Sequence, residues 1–277
     1  MEKALYLVTG AAGHLGNTVV GSLLALNQQV RALILPGERP RPSMQGAEIV
    51  VGDVCKRDSL VPFFKPVPGL PVKLIHCAGV ISIGSRFQKR LYDVNVEGTR
   101  NILACCKSFG VSKLVHVSSV HAIPEQPAGK VISEIDHFDP KKVVGYYAKT
   151  KAQASQLVLD AAKDGLNASI VHPSGICGPN DYGNGHISQL FKDYCSGALA
   201  AIVKGGYDFC DVRDVAQGIL SCAEKGRPGQ CYILSGGYYT IPQMVEYFHI
   251  ASGGKAINAI LPVSYTHLRA HETLRHL

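Results

Sequence analysis

Tyr147 and Lys151 are the residues whose types and spacing most directly suggest chemistry. Residues four apart lie on one face of a helix. An ammonium beside a phenol favours the phenolate, so the pKa of the tyrosine falls and the tyrosine can pass a proton. A hydroxyl of the pair Ser118-Ser119, which ends an apolar run, could hold a substrate oxygen. The set suits proton exchange with an alcohol or carbonyl while a hydride moves. The same spacing is common on amphipathic helices, so its meaning depends on the surrounding chain.

Apolar strand-like runs alternate with helical stretches around these residues. Such alternation predicts βαβ units and a parallel sheet, whose strands are buried on both faces and therefore read as continuous apolar runs. Predicted strands are 4–8, 30–35, 48–51, 72–76, 113–117 and 168–171, and predicted helices are 15–26, 91–108 and 147–163. Beyond residue 174 the pattern is less regular. We therefore expect a dinucleotide-binding domain over 1–174 and a smaller substrate lobe over 175–261, interleaved with the last strands of the sheet.

A glycine-rich loop, 9–16, follows the first predicted strand and opens the first predicted helix. In this context Gly10 permits a tight turn, Gly13 lets the backbone approach a pyrophosphate, and Gly16 lets the helix pack close to the sheet. The N-terminus of the helix then presents N–H groups to the anion. A glycine-rich turn with no ligand is the alternative.

The spacing Gly-x-x-Gly-x-x-Gly resembles the loop of the extended short-chain dehydrogenase/reductase superfamily, in its NAD-dependent epimerase/dehydratase family. Further segments resemble motifs of that superfamily in the same order, and together they cover residues 4 to about 235. These segments are 52–54, 76–79, 93–99, 117–119, 147–151, 171–179 and 211–216. The resemblance implies an α/β fold, a Rossmann-type doubly wound parallel sheet with a smaller C-terminal substrate lobe.

The resemblance also implies roles for Tyr147, Lys151 and the two serines. Tyr147 is the expected general acid/base, and Lys151 is expected to lower its pKa and hold the nicotinamide ribose. Ser119 fits the catalytic hydroxyl better than Ser118, because the family uses the second serine of the pair. Tyr146 is excluded, since the residue four positions on is a threonine.

The expected cofactor is NADP or NAD. By resemblance its contacts are Gly10, Gly13, His14, Leu15, Gly16, Arg39, Asp53, Val54, Ala78, Gly79, Asn95, Pro173 and Ile176. NAD enzymes place an acid after the second strand, about 20 residues past the loop, to bind the ribose diol. Here 35–37 reads Leu-Pro-Gly, and Glu38 comes slightly late. Arg39 and Arg41 could pair with the 2′-phosphate of NADP or lie in a solvated loop, and they favour NADP over NAD.

Three functions compete within this resemblance. Val120-His121 follows Ser119, so the acidic pair expected of sugar-nucleotide dehydratases is missing. The apolar segment 80–84 is more like dihydroflavonol reductase or 3β-hydroxysteroid dehydrogenase relatives than a sugar-binding loop. We therefore favour a reductase or dehydrogenase acting on a small-molecule ketone or secondary alcohol. A nucleotide-sugar epimerase is the alternative. A non-catalytic dinucleotide-binding redox sensor ranks third, because such proteins tend to lose the Tyr/Lys pair.

Composition limits the partners of the chain. It has 277 residues, 46% of them hydrophobic, and a formal net charge of +7 from scattered basic residues. No basic cluster interleaves with aromatics, so no nucleic-acid partner is expected. Nine cysteines at irregular spacing predict buried thiols in a reducing cytoplasm and no metal site. We expect no leader peptide and no membrane segment. A homodimer through a helix pair is a family expectation.

The C-terminal residues 262–277 have a different character. Residues 263–273 match the in-frame translation of a transposase adaptor used in sequencing libraries, and the frame extends to Pro262 and to His276-Leu277. We interpret 262–277 as an assembly artefact that carries no information about fold or function. The natural protein is expected to continue differently.

Overall fold

A computed structural model describes residues 2–82, 84, 86–127, 129–183 and 185–261. The adaptor-like tail and Ile83 of the apolar segment lie outside the described residues. In chain order the strands are β1 (Leu5–Thr9), β2 (Gln29–Ile34), β3 (Glu48–Val51), β4 (Val72–His76), β5 (Lys113–Val117), β6 (Ala168–Pro173), β7 (Gly175–Cys177), β8 (Ile202–Val203), β9 (Gly206–Asp211), β10 (Cys231–Leu234), β11 (Gly237–Thr240) and β12 (Ile260–Leu261).

The helices cover both faces of the main sheet and the C-terminal region. They are α1 (His14–Ala25), α2 (Val61–Phe64), α3 (Lys89–Tyr92), α4 (Gly98–Phe109), α5 (Tyr146–Lys163), α6 (His186–Cys195), α7 (Val212–Lys225) and α8 (Ile241–Ser252). Short 3₁₀ turns occupy Pro42–Met44, Arg57–Leu60 and Val120–Ala122, and a π-helical turn occupies Asp93–Glu97.

Seven strands form one sheet in the order β10-β6-β5-β4-β1-β2-β3, and every neighbouring pair is parallel. The chain moves outward from β1 to β3 and then returns to place β4 on the other side of β1. This reversal is the topological switch point, where a ligand binds beyond the carboxyl ends of the strands. The predicted Rossmann-type doubly wound fold is confirmed.

Apolar side chains fill both faces of the sheet, as the continuous apolar strands predict. On one face, Leu74 and Leu114 pack in the core that also holds Ile102 of α4 and Val158 of α5. On the other face the core holds residues of α1 and α7. The helix that carries Tyr147 and Lys151 is thereby fixed against the sheet along its length.

The helical stretch predicted over 91–108 is irregular in the structure. It runs from α3 through the π turn into α4, and the π turn contains the buried Asn95. π turns are rare and occur frequently at functional sites. The 3.6-residue periodicity of the sequence carries no signal for this insertion.

The segment 175–261 contributes to more than one layer. β7, β9 and β11 form a small sheet beside the main one, and β8 pairs with β12. Two elements that lie between β9 and β11 in the chain belong to the main layers. α7 packs against α1, and β10 joins the edge of the main sheet at β6. The boundary after residue 174 stays a prediction.

Candidate active site

The carboxyl end of β5 and the first turns of α5 bring Ser119, Tyr147 and Lys151 together. Ser119 lies two residues beyond the end of β5 and is buried. α5 begins after Gly145, whose φ of +90° is a left-handed conformation that favours glycine. Lys151 is buried, and its Nζ donates a hydrogen bond to the carbonyl of Val117 at 2.7 Å. The lysine is thus anchored to the end of the strand that precedes Ser119.

The two serines face different surroundings. The Oγ of Ser118 lies 2.7 Å from the Oγ of Ser155, inside the interface between β5 and α5. The Oγ of Ser119 accepts a hydrogen bond from the backbone N–H of His121 at 3.2 Å. This leaves the hydroxyl proton of Ser119 free to be donated. The placement agrees with the choice of Ser119 as the hydroxyl that faces Tyr147, whose catalytic role stays a prediction.

Burial controls the ionisation of the two reactive groups. It raises the pKa of Tyr147 to about 12, while the neighbouring Ser119 hydroxyl acts to lower that pKa. Burial also lowers the pKa of Lys151 to about 8. The pKa of Tyr147 therefore differs from the lowered value expected from the Tyr–Lys spacing, because desolvation outweighs the stabilisation of the phenolate. Tyr147 is a protonated phenol at neutral pH and a potential proton donor.

Tyr146 is directed elsewhere. Its ring packs edge-on against Phe87, with 5.3 Å between the ring centroids. Two neighbouring tyrosines at the start of α5 thus have separate environments, and only Tyr147 adjoins Ser119.

Asn95 joins the loop after β4 to the helix that carries the tyrosine. Its Oδ1 accepts a hydrogen bond from Val80 N at 2.8 Å, and its Nδ2 donates to Val80 O and to Thr150 Oγ1, each at 3.0 Å. Gly79 lies between this amide and Lys151, because a Cβ on Gly79 would be 3.8 Å from the lysine Nζ. Asn95 therefore fixes the wall of the site from two sides, and its contact with a cofactor stays a prediction.

A buried chain of hydrogen bonds fixes the ends of β1 and β4. Ala78 N donates to Thr9 Oγ1 at 3.2 Å, and Thr9 Oγ1 lies 2.7 Å from His76 Nδ1. Thr99 donates to Asn95 O, so its Oγ1 accepts from His76 Nε2 at 3.2 Å. These contacts assign a neutral His76 that carries its proton on Nε2. Burial lowers the pKa of His76 to about 3, which agrees with that assignment.

The glycine loop is shaped by close backbone contacts. Gly10 has φ of +62°, and a Cβ there would lie 2.7 Å from Ala78 N. A Cβ on Gly16 would lie 2.2 Å from the carbonyl oxygen of Gly10, so only glycine lets α1 approach the turn. Ala78 therefore faces the glycine loop across the switch point, and its contact with a cofactor stays a prediction.

The N-terminus of α1 fits an anion. Gly13 is its exposed N-cap, no side chain among the described residues caps the helix, and its first turn contains no acid. The first N–H groups of a helix lack intrahelical partners and attract negative charge. A pyrophosphate fits this end, with Gly13, His14, Leu15 and Gly16 around it.

The segment after β7 is tied to the same helix end. His14 Nε2 lies 3.0 Å from the carbonyl oxygen of Pro179, and Asn17 Nδ2 donates to Asn180 O at 3.2 Å. The polypeptide after β7 thus reaches back to the glycine loop. The side chain of His14 is therefore engaged with the protein on one side of the predicted pyrophosphate position.

Arg41, rather than Arg39, contacts the glycine loop. Its Nε donates to Ala12 O at 3.1 Å, and its guanidinium lies 4.9 Å from the centroid of the Tyr182 ring. Arg39 is exposed. Glu38 Oε2 accepts a hydrogen bond from Leu35 N at 2.8 Å, so this carboxylate caps the turn after β2.

The remaining predicted contacts lie at the carboxyl edge of the sheet or close to it. Asp53 follows β3, and its Oδ1 accepts from Cys55 N at 2.9 Å; the buried Val54 packs close to Gly98. Pro173 ends β6, and Ile176 lies in β7. Their contacts with a cofactor stay predictions. Sequence reasoning missed Tyr207 of β9, whose hydroxyl lies 3.0 Å from His121 Nε2.

Comparison with known families decides the relationship. The model of the NAD dependent epimerase/dehydratase family matches residues 6–234. The chain belongs to this family. Among relatives, it is 33% identical to "Sterol demethylase protein B" of Methylococcus capsulatus (Bath) over 89% of this chain and 74% of that protein. It is 32% identical to "Putative dihydroflavonol 4-reductase" of Synechocystis over 93% of this chain and 75% of that protein.

Solved structures of similar proteins have the same architecture. The crystal structure of gox2253 shares 31% sequence identity and superposes with a TM-score of 0.85, covering 95% of this chain and 79% of that chain. The UDP-glucose 4-epimerase of Thermus thermophilus in complex with NAD has a TM-score of 0.78 at 21% identity, covering 93% and 86%. The second likeness shows the shared fold alone.

The described part of the chain was compared with the requirements of a membrane span and of a metal site. The described residues contain no helix that is long and apolar enough to cross a bilayer. Nor do they contain a cluster of three or more histidine, cysteine or acidic side chains that could hold a metal ion.

Proposed function

We propose that this family member is an NADP-dependent reductase or dehydrogenase that interconverts a ketone and a secondary alcohol. The observation that carries the proposal is the meeting of Ser119, Tyr147 and Lys151 at the carboxyl end of β5, beside the switch point. The names of its relatives support it, since they include "Putative dihydroflavonol 4-reductase" and the sterol-4-alpha-carboxylate 3-dehydrogenases of human and cattle.

The protein's own residues supply the proton chemistry. Ser119 accepts from His121 N and keeps its hydroxyl proton for a substrate oxygen. Tyr147 holds its proton at neutral pH because burial raises its pKa to about 12. As negative charge develops on the carbonyl oxygen, this phenol gives it the proton, and the reverse transfer accompanies alcohol oxidation. The ammonium of Lys151 then favours the phenolate that remains.

The described residues also fit a dinucleotide. The bound nicotinamide supplies or accepts the hydride. The open N-terminus of α1 would hold the pyrophosphate, and the surface next to Gly79 and Lys151 would adjoin the nicotinamide ribose. Arg41 is the residue best placed for a 2′-phosphate, because its guanidinium is already held against the glycine loop. Glu38, which caps the turn after β2, is a poorer candidate for the ribose diol of NAD.

Cofactor choice is tested with two arginine variants. Arg41→Ala is expected to weaken NADPH binding about 10- to 100-fold, the range of a lost hydrogen bond to a charged group, and to leave NADH binding nearly unchanged. Arg39→Ala is the matched control and is expected to bind both cofactors as the wild type does. Titration calorimetry measures the affinity of the wild type and of both variants for NADPH and for NADH. A loss in Arg39→Ala with none in Arg41→Ala would favour the residue first predicted from the sequence.

The reaction is tested by turnover. Wild-type protein is incubated with NADPH and a panel of ketones of different size, and loss of reduced nicotinamide absorbance is followed. Turnover of at least one ketone to its secondary alcohol supports the proposal. Cofactor binding without turnover of any substrate would contradict it and favour a redox sensor.

A nucleotide-sugar epimerase is the second candidate, and the family's own description favours it. Such an enzyme keeps NAD bound through its cycle, so the purified protein would retain NAD. Epimerisation of a UDP-sugar with no net change in nicotinamide absorbance would then replace the reductase proposal.

A further inference from the structure

His121 makes three contacts at the proposed reaction centre. Its backbone N–H donates to Ser119 Oγ at 3.2 Å. Its ring meets the ring of Tyr147 edge-on, with 6.1 Å between centroids and an angle of 74°. Its Nε2 lies 3.0 Å from the hydroxyl of Tyr207 on β9. One residue thus touches the catalytic serine, the catalytic tyrosine and the C-terminal region.

The partner of His121 is held by stacking as well as by the hydrogen bond. The rings of His121 and Tyr207 are nearly parallel, at 23° and 5.8 Å, and Tyr207 packs in turn on Phe209 at 5.6 Å. Tyr207 lies 86 residues beyond His121, so the contact joins the turn after β5 to the small sheet. The position of the imidazole is therefore defined from both sides.

The hydrogen bond fixes the proton of the ring. Burial and the nearby Asp208 raise the pKa of Tyr207, so its phenol keeps its proton and donates it. The rings packed against the imidazole of His121 desolvate it in part and so lower its pKa, and the neutral imidazole accepts at Nε2. A neutral imidazole then carries its proton on Nδ1. No described residue accepts a hydrogen bond from that Nδ1–H.

The side chain has the features of a ligand contact rather than of core packing. His121 is exposed, whereas the residues around it on β5 and α5 are largely buried. Its backbone N–H already serves Ser119, so the imidazole is not needed to orient that hydroxyl. A substrate oxygen shared by Ser119 and Tyr147 would bring the neighbouring atoms of the substrate beside this ring.

We propose that His121, oriented by Tyr207, is a specificity-determining residue that donates a hydrogen bond to a second oxygen of the substrate close to the reacting carbonyl. The preferred substrates are then ketones with an adjacent acceptor, such as a second carbonyl, an ester or a carboxylate. This inference rests on the proposed function. In this proposal the two parts of His121 have different roles. Its backbone N–H donates a hydrogen bond to Ser119, and its side chain donates one to the substrate.

The test compares two ketones of similar size, one with an adjacent ester carbonyl and one with a methylene in its place. Tyr207→Phe keeps the ring stack and removes the hydroxyl, and His121→Leu removes the donor. Each is expected to lower kcat/KM for the keto ester about tenfold, the effect of one hydrogen bond of about 1.4 kcal/mol, and to change kcat/KM for the simple ketone less than about threefold. The double variant is expected to lose no more than His121→Leu alone.

Two controls separate recognition from a structural role. His121→Gln retains an amide that can accept from Tyr207 and donate to the substrate, and it is expected to recover most of the preference for the keto ester. Tyr238→Phe changes an exposed tyrosine on the neighbouring strand β11 and is expected to behave as wild type. NADPH affinity should be unchanged in every variant.

The outcomes are distinguishable. Loss confined to the keto ester supports the inference. Equal loss on both ketones shows a structural role and overturns it, as does no loss on either. If the wild type reduces neither these ketones nor any of the panel, the proposed function itself fails and the inference falls with it.

Discussion

Replacing each of the adjacent serines after β5, Ser118 and Ser119, by alanine is expected to have opposite effects on turnover and on stability. Ser119→Ala removes the hydroxyl proton that Ser119 is proposed to give to the substrate oxygen. Loss of one such donor costs about 100- to 1000-fold in kcat. The substitution removes the contact of Ser119 Oγ with the N–H of His121 at 3.2 Å and the contact of its hydroxyl with Tyr147, whose pKa it acts to lower. The stability of Ser119→Ala is expected to stay within about 1 kcal/mol of wild type.

Ser118→Ala should do the reverse. Ser118 Oγ and Ser155 Oγ are 2.7 Å apart, and both residues are buried. The variant loses one hydrogen bond and leaves the Ser155 hydroxyl without this partner in the core, which together cost about 2 kcal/mol of unfolding free energy. The ring of Tyr147 and the carbonyl that holds Lys151 are untouched, so kcat is expected to stay within about threefold of wild type.

Urea unfolding followed by circular dichroism gives the two stabilities, and reduction of the best ketone of the panel gives kcat. NADPH affinity is measured in parallel and should match wild type in both variants. Loss of turnover by Ser118→Ala at wild-type stability would contradict the roles assigned to the two serines. Wild-type turnover by Ser119→Ala would contradict them equally.

Two further predictions concern the glycine loop and the buried lysine. Gly10→Ala should lower the free energy of unfolding by more than about 2 kcal/mol and weaken NADPH binding, because its Cβ would lie 2.7 Å from Ala78 N. Gly110 has nearly the same φ but open space around it, so Gly110→Ala should lower the free energy of unfolding by only about 1 kcal/mol and leave NADPH binding intact. Urea titrations and calorimetry check both, and equal costs would be the contrary result. Burial lowers the pKa of Lys151 from 10.5 to about 8, so the unfolded chain binds more protons between these values. Wild type should therefore gain up to about 3 kcal/mol of stability relative to Lys151→Met as pH rises through that window, as measured by urea titrations at several pH values; a pH-independent difference would contradict this.

Local patterns along the chain predict the sheet well. The strands 48–51, 72–76 and 113–117 have the predicted bounds, and the others differ by one or two residues. Short continuous apolar runs between glycine-bearing turns are typical of strands in a parallel sheet that is buried on both faces. The π turn around Asn95 has no such local signal, because it depends on the hydrogen bonds of the Asn95 side chain with Val80 and Thr150, which come from other segments.

Some features of the site could likewise be predicted from the sequence, and others depend on tertiary packing. The family's use of the second serine favoured Ser119 over Ser118, and the position of Lys151 favoured Tyr147 over Tyr146. The surroundings of these residues in the structure agree with both choices. The contact of Arg41 with the glycine loop and that of Tyr207 with His121 depend on tertiary packing between segments far apart in the chain. The raised pKa of Tyr147 likewise follows from burial, which the Tyr–Lys spacing does not contain.

The central claim is that Tyr147 exchanges the proton at the reacting oxygen. Tyr147→Phe keeps the ring and its contact with His121 and removes only the hydroxyl, and Tyr146→Phe is the matched control on the adjacent residue. The decisive measurement is kcat for ketone reduction at saturating NADPH, with cofactor affinity determined on the same samples. We expect Tyr147→Phe to lose at least about 100-fold in kcat with NADPH affinity unchanged, and Tyr146→Phe to retain wild-type turnover. Wild-type turnover by Tyr147→Phe would contradict the account.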